Sequence, residues 1–181
     1  MQNTNETNLF SHEEDKTMQR NYSIYDIANW FLQHVTCDQK KLQKLCYYAQ
    51  AWHYAIFNSQ LCTASFEAWV HGPVSRVLWD STKRFEFNDL PTTLFSSMTE
   101  KIDDSTDTFL HRILGTYGKY SGFDLECLTH TEMPWIHARE GYTDVERCTK
   151  DISIDDMRNY YRGLIKGDGI GEGLSLIHIS E

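Results

Sequence analysis

At 181 residues the chain has room for one hydrophobic core, and 40% hydrophobic residues with only 3 Pro and 10 Gly exclude collagen-like and low-complexity architectures. Seventeen Lys plus Arg against 26 Asp plus Glu leave a net charge of −9, which repels phosphate backbones, and no segment approaches the roughly 20 apolar residues that span a bilayer. The cysteines Cys37, Cys46, Cys62, Cys127 and Cys148 are odd in number and form no C-x-x-C pair, which places free thiols in a reducing, cytoplasmic compartment.

Residues 1–21 lack the basic start and apolar core of a signal peptide and are read as a disordered polar tail ahead of one domain over 22–166. Ser23 with Asp26 three positions on forms a capping signature. Ile24, Ile27, Ala28, Phe31 and Leu32 then recur at helical spacing and predict a first helix to about His34. From Asp38 the longest helix opens, with Leu42, Leu45, Cys46, Ala49, Trp52 and Ile56 at steps of three and four on one apolar face. Tyr48, Ala51 and Ala55 widen that face, so neighbours are expected on more than one side and the helix becomes the hub of the core.

Phe66 to Val70 reads as a strand ended by a turn at Gly72-Pro73, and a small hairpin is expected near Leu61 to Val70. Pro73 is then placed at the first position of a helix, where its missing N–H is not needed, with Val74, Val77 and Leu78 facing inward. Residues 85–107 hold Pro91 and six acidic residues against one Lys, and are expected to be mostly loop. Phe109, Leu110, Ile113, Leu114 and Tyr117 mark the next helix, ended by Gly118, and Ser121 caps another through Leu125 and Leu128. Pro134 opens a short turn through Arg139, and Ser153 with Asp156 resembles a capping box for Ile154 to Ile165. Residues 167–181 are read as a flexible tail whose end, LSLIHISE at 174–181, resembles a translated sequencing adapter, so that the natural C-terminus is expected to lie elsewhere. The fold class is therefore mainly α, a compact bundle of about six helices with a small β-hairpin.

The eight histidines include no H-E-x-x-H arrangement, and Pro134 separates His130 from His137, the one pair close in sequence. His53 is read as a packed ring beside Trp52, and His71 and His130 as hydrogen-bond donors to backbone at turns. Cys46 lies on the apolar face of the long helix, where burial raises a thiol pKa and suppresses reactivity. No G-x-G-x-x-G or P-loop run follows a strand, and the Lys40, Lys41, Lys44 cluster is too small to form a nucleic-acid face. Catalytic residues, metal ligands and cofactors are accordingly not assigned. Trp30 and Trp52 follow helical periodicity and belong to the core, whereas Trp69, Trp79 and Trp135 lie near turns, where an amphipathic ring can anchor a partner.

KLQKLCYYAQAWHYA (41–55), FEAWVHGPV (66–74), LTHTEMPWIHAR (128–139) and ISIDDMRNYY (152–161) resemble, in order and spacing, the Panacea domain family, which includes SocA-like antitoxins and phage-associated GepA-like proteins. The resemblance implies a helical, non-enzymatic antitoxin that neutralises a cognate toxin by direct contact, or an adaptor that delivers a toxin to an AAA+ protease. It brings forward Trp69, His71, Gly72, Pro73, Val74, Thr129, His130 and Trp135 as motif or partner-binding residues. The two turns that carry them are expected to pack together. Net charge −9 would steer the chain toward a basic toxin surface. The competing reading from a different class is a small metal-dependent hydrolase built on His53, His71, His130 and Glu132.

Overall fold

A computed structural model describes residues 21–166, so the tails expected at 1–21 and 167–181 lie outside it apart from Asn21. Helix α1 (Ile24–His34) starts where the sequence predicts. The Ser23 hydroxyl accepts from the Asp26 N–H, and the Asp26 carboxylate accepts from the Ser23 N–H, which satisfies two of the donors a helix start leaves free. Asp38 caps α2 (Gln39–Phe57) by accepting from the Lys41 N–H at 2.8 Å, and Asn58 ends that helix in the left-handed region.

Helix α2 is the hub. Leu42, Leu45, Cys46, Tyr48, Ala49 and Trp52 are fully buried. Burying each large apolar side chain contributes roughly 1.5–3 kcal/mol before entropy is counted. Around α2 pack α1, α3 (Arg76–Thr82), α4 (Asp104–Tyr117), α5 (Gly122–Thr129) and, most extensively, α7 (Ile154–Lys166). A short helix α6 (Met133–Ala138), with Pro134 in its first turn, docks on α7. Seven α-helices are thus described, one more than the periodicity implies, because the stretch read as a turn after Pro134 is helical.

Two buried amides on α2 organise loops. Gln50 accepts from the Leu61 and Cys62 N–H groups and donates to the Cys62 carbonyl at 3.1 Å. Gln43 accepts from the Ser75 N–H at 2.9 Å and donates to its carbonyl at 3.1 Å. Both amides replace hydrogen bonds that these backbone groups lose on leaving water.

The hairpin departs from the expected position. Strand β1 (Glu67–Trp69) pairs antiparallel with β2 (Gly72–Val74), so Gly72 and Pro73 lie inside the second strand and the turn is Val70-His71. The reason is tertiary. Ala68, which faces Pro73, sends its N–H outward to the Lys150 carbonyl at 2.8 Å and receives the Arg139 guanidinium on its carbonyl at 2.9 Å. Nothing on β1 therefore asks Pro73 for an N–H, and proline is tolerated there. Helix α3 starts only at Arg76, and the shift turns Val77 outward, 55% exposed, while Leu78 stays buried.

Candidate functional site

The hairpin turn is seated on α2 and α5. Gly72 has φ +91°, and a Cβ there would lie 2.6 Å from Lys44 Cε and 2.8 Å from Thr129 Oγ1. Glycine is needed both for the backbone conformation and for this close approach. Lys44, itself buried, donates from Nζ to the Pro73 carbonyl at 3.3 Å. Burial pushes its ammonium down to about 7, against the pull of Glu126.

The second motif meets the first from the other side. Trp135 Nε1 donates to the Trp69 carbonyl at 2.9 Å, and the His130 ring stacks on Trp135 at 4.1 Å. The two turns do pack together. The packing divides the sequence-predicted residues into two groups: Gly72, Pro73, Val74, Thr129 and Trp135 are buried and form the support, while Trp69 and His130 are half-buried and His71 is exposed.

His71 differs from its expected role. Its Nδ1 lies 2.8 Å from Glu126 Oε1, so its partner is a carboxylate on α5 rather than backbone. Glu126 also pairs with Lys40 of α2. Burial pulls the Glu126 carboxyl up, but the hydrogen bonds from Lys40 and His71 outweigh it and hold the group below its ordinary value. His130 is pushed down by burial, and its Nε2 is buried without a hydrogen-bond partner. His53 sits as read, with Nδ1 2.7 Å from the Ser59 carbonyl and its ring against Phe57 and Phe109.

Beside His71 opens a groove of about 380 Å³, with Trp69, Trp79, Val74 and Phe87 as its apolar walls and Lys40, His71 and Glu86 at its edge. Trp69 and Trp79 meet edge to face at 5.3 Å. Glu67 holds Trp69 by accepting from its Nε1 at 2.7 Å, and Arg76 locks Glu67 through two hydrogen bonds while lying over the Trp69 ring. Phe87 is 89% exposed. Sequence reading named Trp79 with Trp69 as a tryptophan near a turn that can anchor a partner, and missed Phe87, Glu126 and Lys40 as parts of this site, because no local spacing links residues 40, 69, 79, 87 and 126. The lysine cluster points inward: Lys40 to Glu126, Lys41 to the Gly118 carbonyl and Lys44 to the Pro73 carbonyl.

The hydrolase set does not assemble. Glu132 accepts from Tyr48 and Tyr161, His71 pairs with Glu126, and His53 bonds the Ser59 carbonyl. Among the described residues, the side chains whose ligand atoms converge within 4.8 Å are His34, Asp107 and His111, on α1 and α4. No helix of the described residues is long and apolar enough to cross a membrane.

Searches of curated proteins and of solved structures returned no match. The family described as antitoxin SocA-like, Panacea domain, matches residues 42–136, from the hub helix through Ile136 of α6.

Proposed function

The chain belongs to the SocA-like antitoxin Panacea-domain family, and from that premise we propose that it is an antitoxin that neutralises a cognate toxin by direct binding, with no bond made or broken in its own site. The observation that carries the reading is the open groove between Trp69 and Trp79, with Phe87 fully presented at its lip. Large aromatic residues around an apolar slot, with a charged edge, are how protein interfaces hold an anchor side chain. Trp69, Trp79, Phe87 and His71 contact the toxin in this proposal. Gly72, Pro73, Val74, Thr129, His130 and Trp135 hold the hairpin in place and act through it. Net charge −9 adds long-range attraction to a basic toxin, which raises the association rate at low salt.

The test pairs the chain with products of genes adjacent to its own. The antitoxin reading expects one of them to arrest growth when expressed alone, and this chain to relieve the arrest and copurify with it. Phe87→Ala should weaken relief while leaving the unfolding midpoint unchanged, since Phe87 is exposed. Failure of every neighbouring product to arrest growth, or full relief by a Trp79→Ala, Phe87→Ala double variant, refutes the groove reading. The toxin's half-life separates occlusion from delivery to an AAA+ protease: the occluding antitoxin leaves its toxin abundant and bound, and a shortened half-life would assign the adaptor role instead.

A further inference from the structure

Helix α1 ends on His34, and Asp107 and His111 lie one turn apart on α4. One atom from each of the three side chains lies within 4.8 Å of the other two. Buried Trp30 orders all three. Its carbonyl accepts from His34 Nδ1 at 2.7 Å, which leaves Nε2 as the nitrogen available to a ligand. The His34 ring also stacks on the indole at 3.9 Å and 18°. The Trp30 indole N–H donates to Asp107 Oδ1 at 2.7 Å, leaving Oδ2 3.5 Å from His111 Nε2. His111 stands edge-on to both Trp30 and His34, at 4.8 and 5.0 Å.

Such outer partners, a backbone carbonyl behind one imidazole and a donor behind the carboxylate, are what orient ligands at metal centres. Two imidazoles and one carboxylate suit a borderline divalent ion, whereas Mg²⁺ and Ca²⁺ prefer all-oxygen sets. Tetrahedral ligands at about 2.1 Å from zinc lie roughly 3.4 Å apart, so closing on an ion asks for shifts of about 1 Å. The His34 and His111 side chains, both exposed, are free to make them.

We propose that His34 Nε2, His111 Nε2 and Asp107 Oδ2 form a three-ligand site for Zn²⁺ or a similar borderline divalent cation, which clasps the end of α1 to α4 and leaves a coordination position facing solvent. The site shares no residue with the groove and is independent of the antitoxin reading.

Untagged, chelator-stripped full-length protein titrated with ZnCl₂ by calorimetry should take up one equivalent. His34→Ala, His111→Ala and Asp107→Asn should each weaken that uptake at least tenfold, and Trp30→Phe by about 10–100-fold, the usual cost of losing an outer partner. His137→Ala should leave it unchanged. Sub-stoichiometric Cu²⁺ should broaden the ring signals of His34 and His111 ahead of other histidines in NMR spectra, a readout that needs no variant to fold. Undiminished zinc affinity in His34→Ala and His111→Ala, absence of saturable uptake, or broadening confined to other histidines overturns the proposal.

Discussion

Glu132 offers a test of how the core is balanced. Its carboxyl is buried, accepts from the Tyr161 hydroxyl at 2.7 Å and from Tyr48 at 3.2 Å, and is pushed up to about 7 by burial, which these two hydrogen bonds only partly offset. Because the folded-state value lies above the ordinary 4.5, the folded protein holds the proton more tightly than the unfolded chain. The stability this provides is complete below pH 4.5 and is lost as pH rises through 7. At 1.36 kcal/mol per pH unit of difference, the loss is about 3 kcal/mol by pH 8, of which roughly a quarter has already gone at pH 5. Glu132→Gln keeps the shape, still accepts from both tyrosines and has no proton to lose. Urea unfolding of both proteins at intervals from pH 5 to 8 should therefore show Glu132→Gln gaining on wild type by roughly 2–3 kcal/mol across the range, with all other titrations cancelling in the difference. Parallel stability profiles would refute the reasoning and mean that the carboxylate is solvated or paired.

Gly72→Ala should lower stability by about 2–4 kcal/mol in urea unfolding, combining a left-handed φ with a Cβ driven into Lys44 and Thr129; a loss under about 0.5 kcal/mol would show that the turn yields freely. Gln50→Ala leaves the Leu61 and Cys62 N–H groups without their acceptor, while the Cys62 carbonyl keeps the Ala64 N–H, so a cost of at least about 2 kcal/mol in the same assay is expected. Thiol titration with a disulfide reagent should find Cys127 reacting quickly in the native protein. Cys37, Cys46, Cys62 and Cys148 should wait for unfolding, since all four are buried and burial pushes the thiols of Cys37 and Cys62 up to about 12. Rapid modification of more than one thiol would contradict the packing around α2.

The amino-acid sequence alone determined most of the helices and the starts of α1, α2, α5 and α7. Periodicity along Ile24–Leu32 and Leu42–Ile56, and the caps at Ser23, Asp38 and Ser121, act over three or four residues and need no distant partner. The Gly72-Pro73 pair and the tryptophans of both turns likewise marked the region where the hairpin and α6 meet, because glycine at a tight approach and aromatic rings near turns are local signs of a specific role. Tertiary structure decided the rest. Pro73 became a strand residue because Lys150 and Arg139, some 70 positions away, satisfy Ala68 from the opposite edge. His71 faces Glu126 rather than backbone, Trp79 and Phe87 join Trp69 around one groove, and Trp30 aligns His34 with Asp107 and His111. Hydrogen bonds and ring packing between residues far apart in the chain exist only once the hub helix has drawn its neighbours together, so no spacing pattern can announce them.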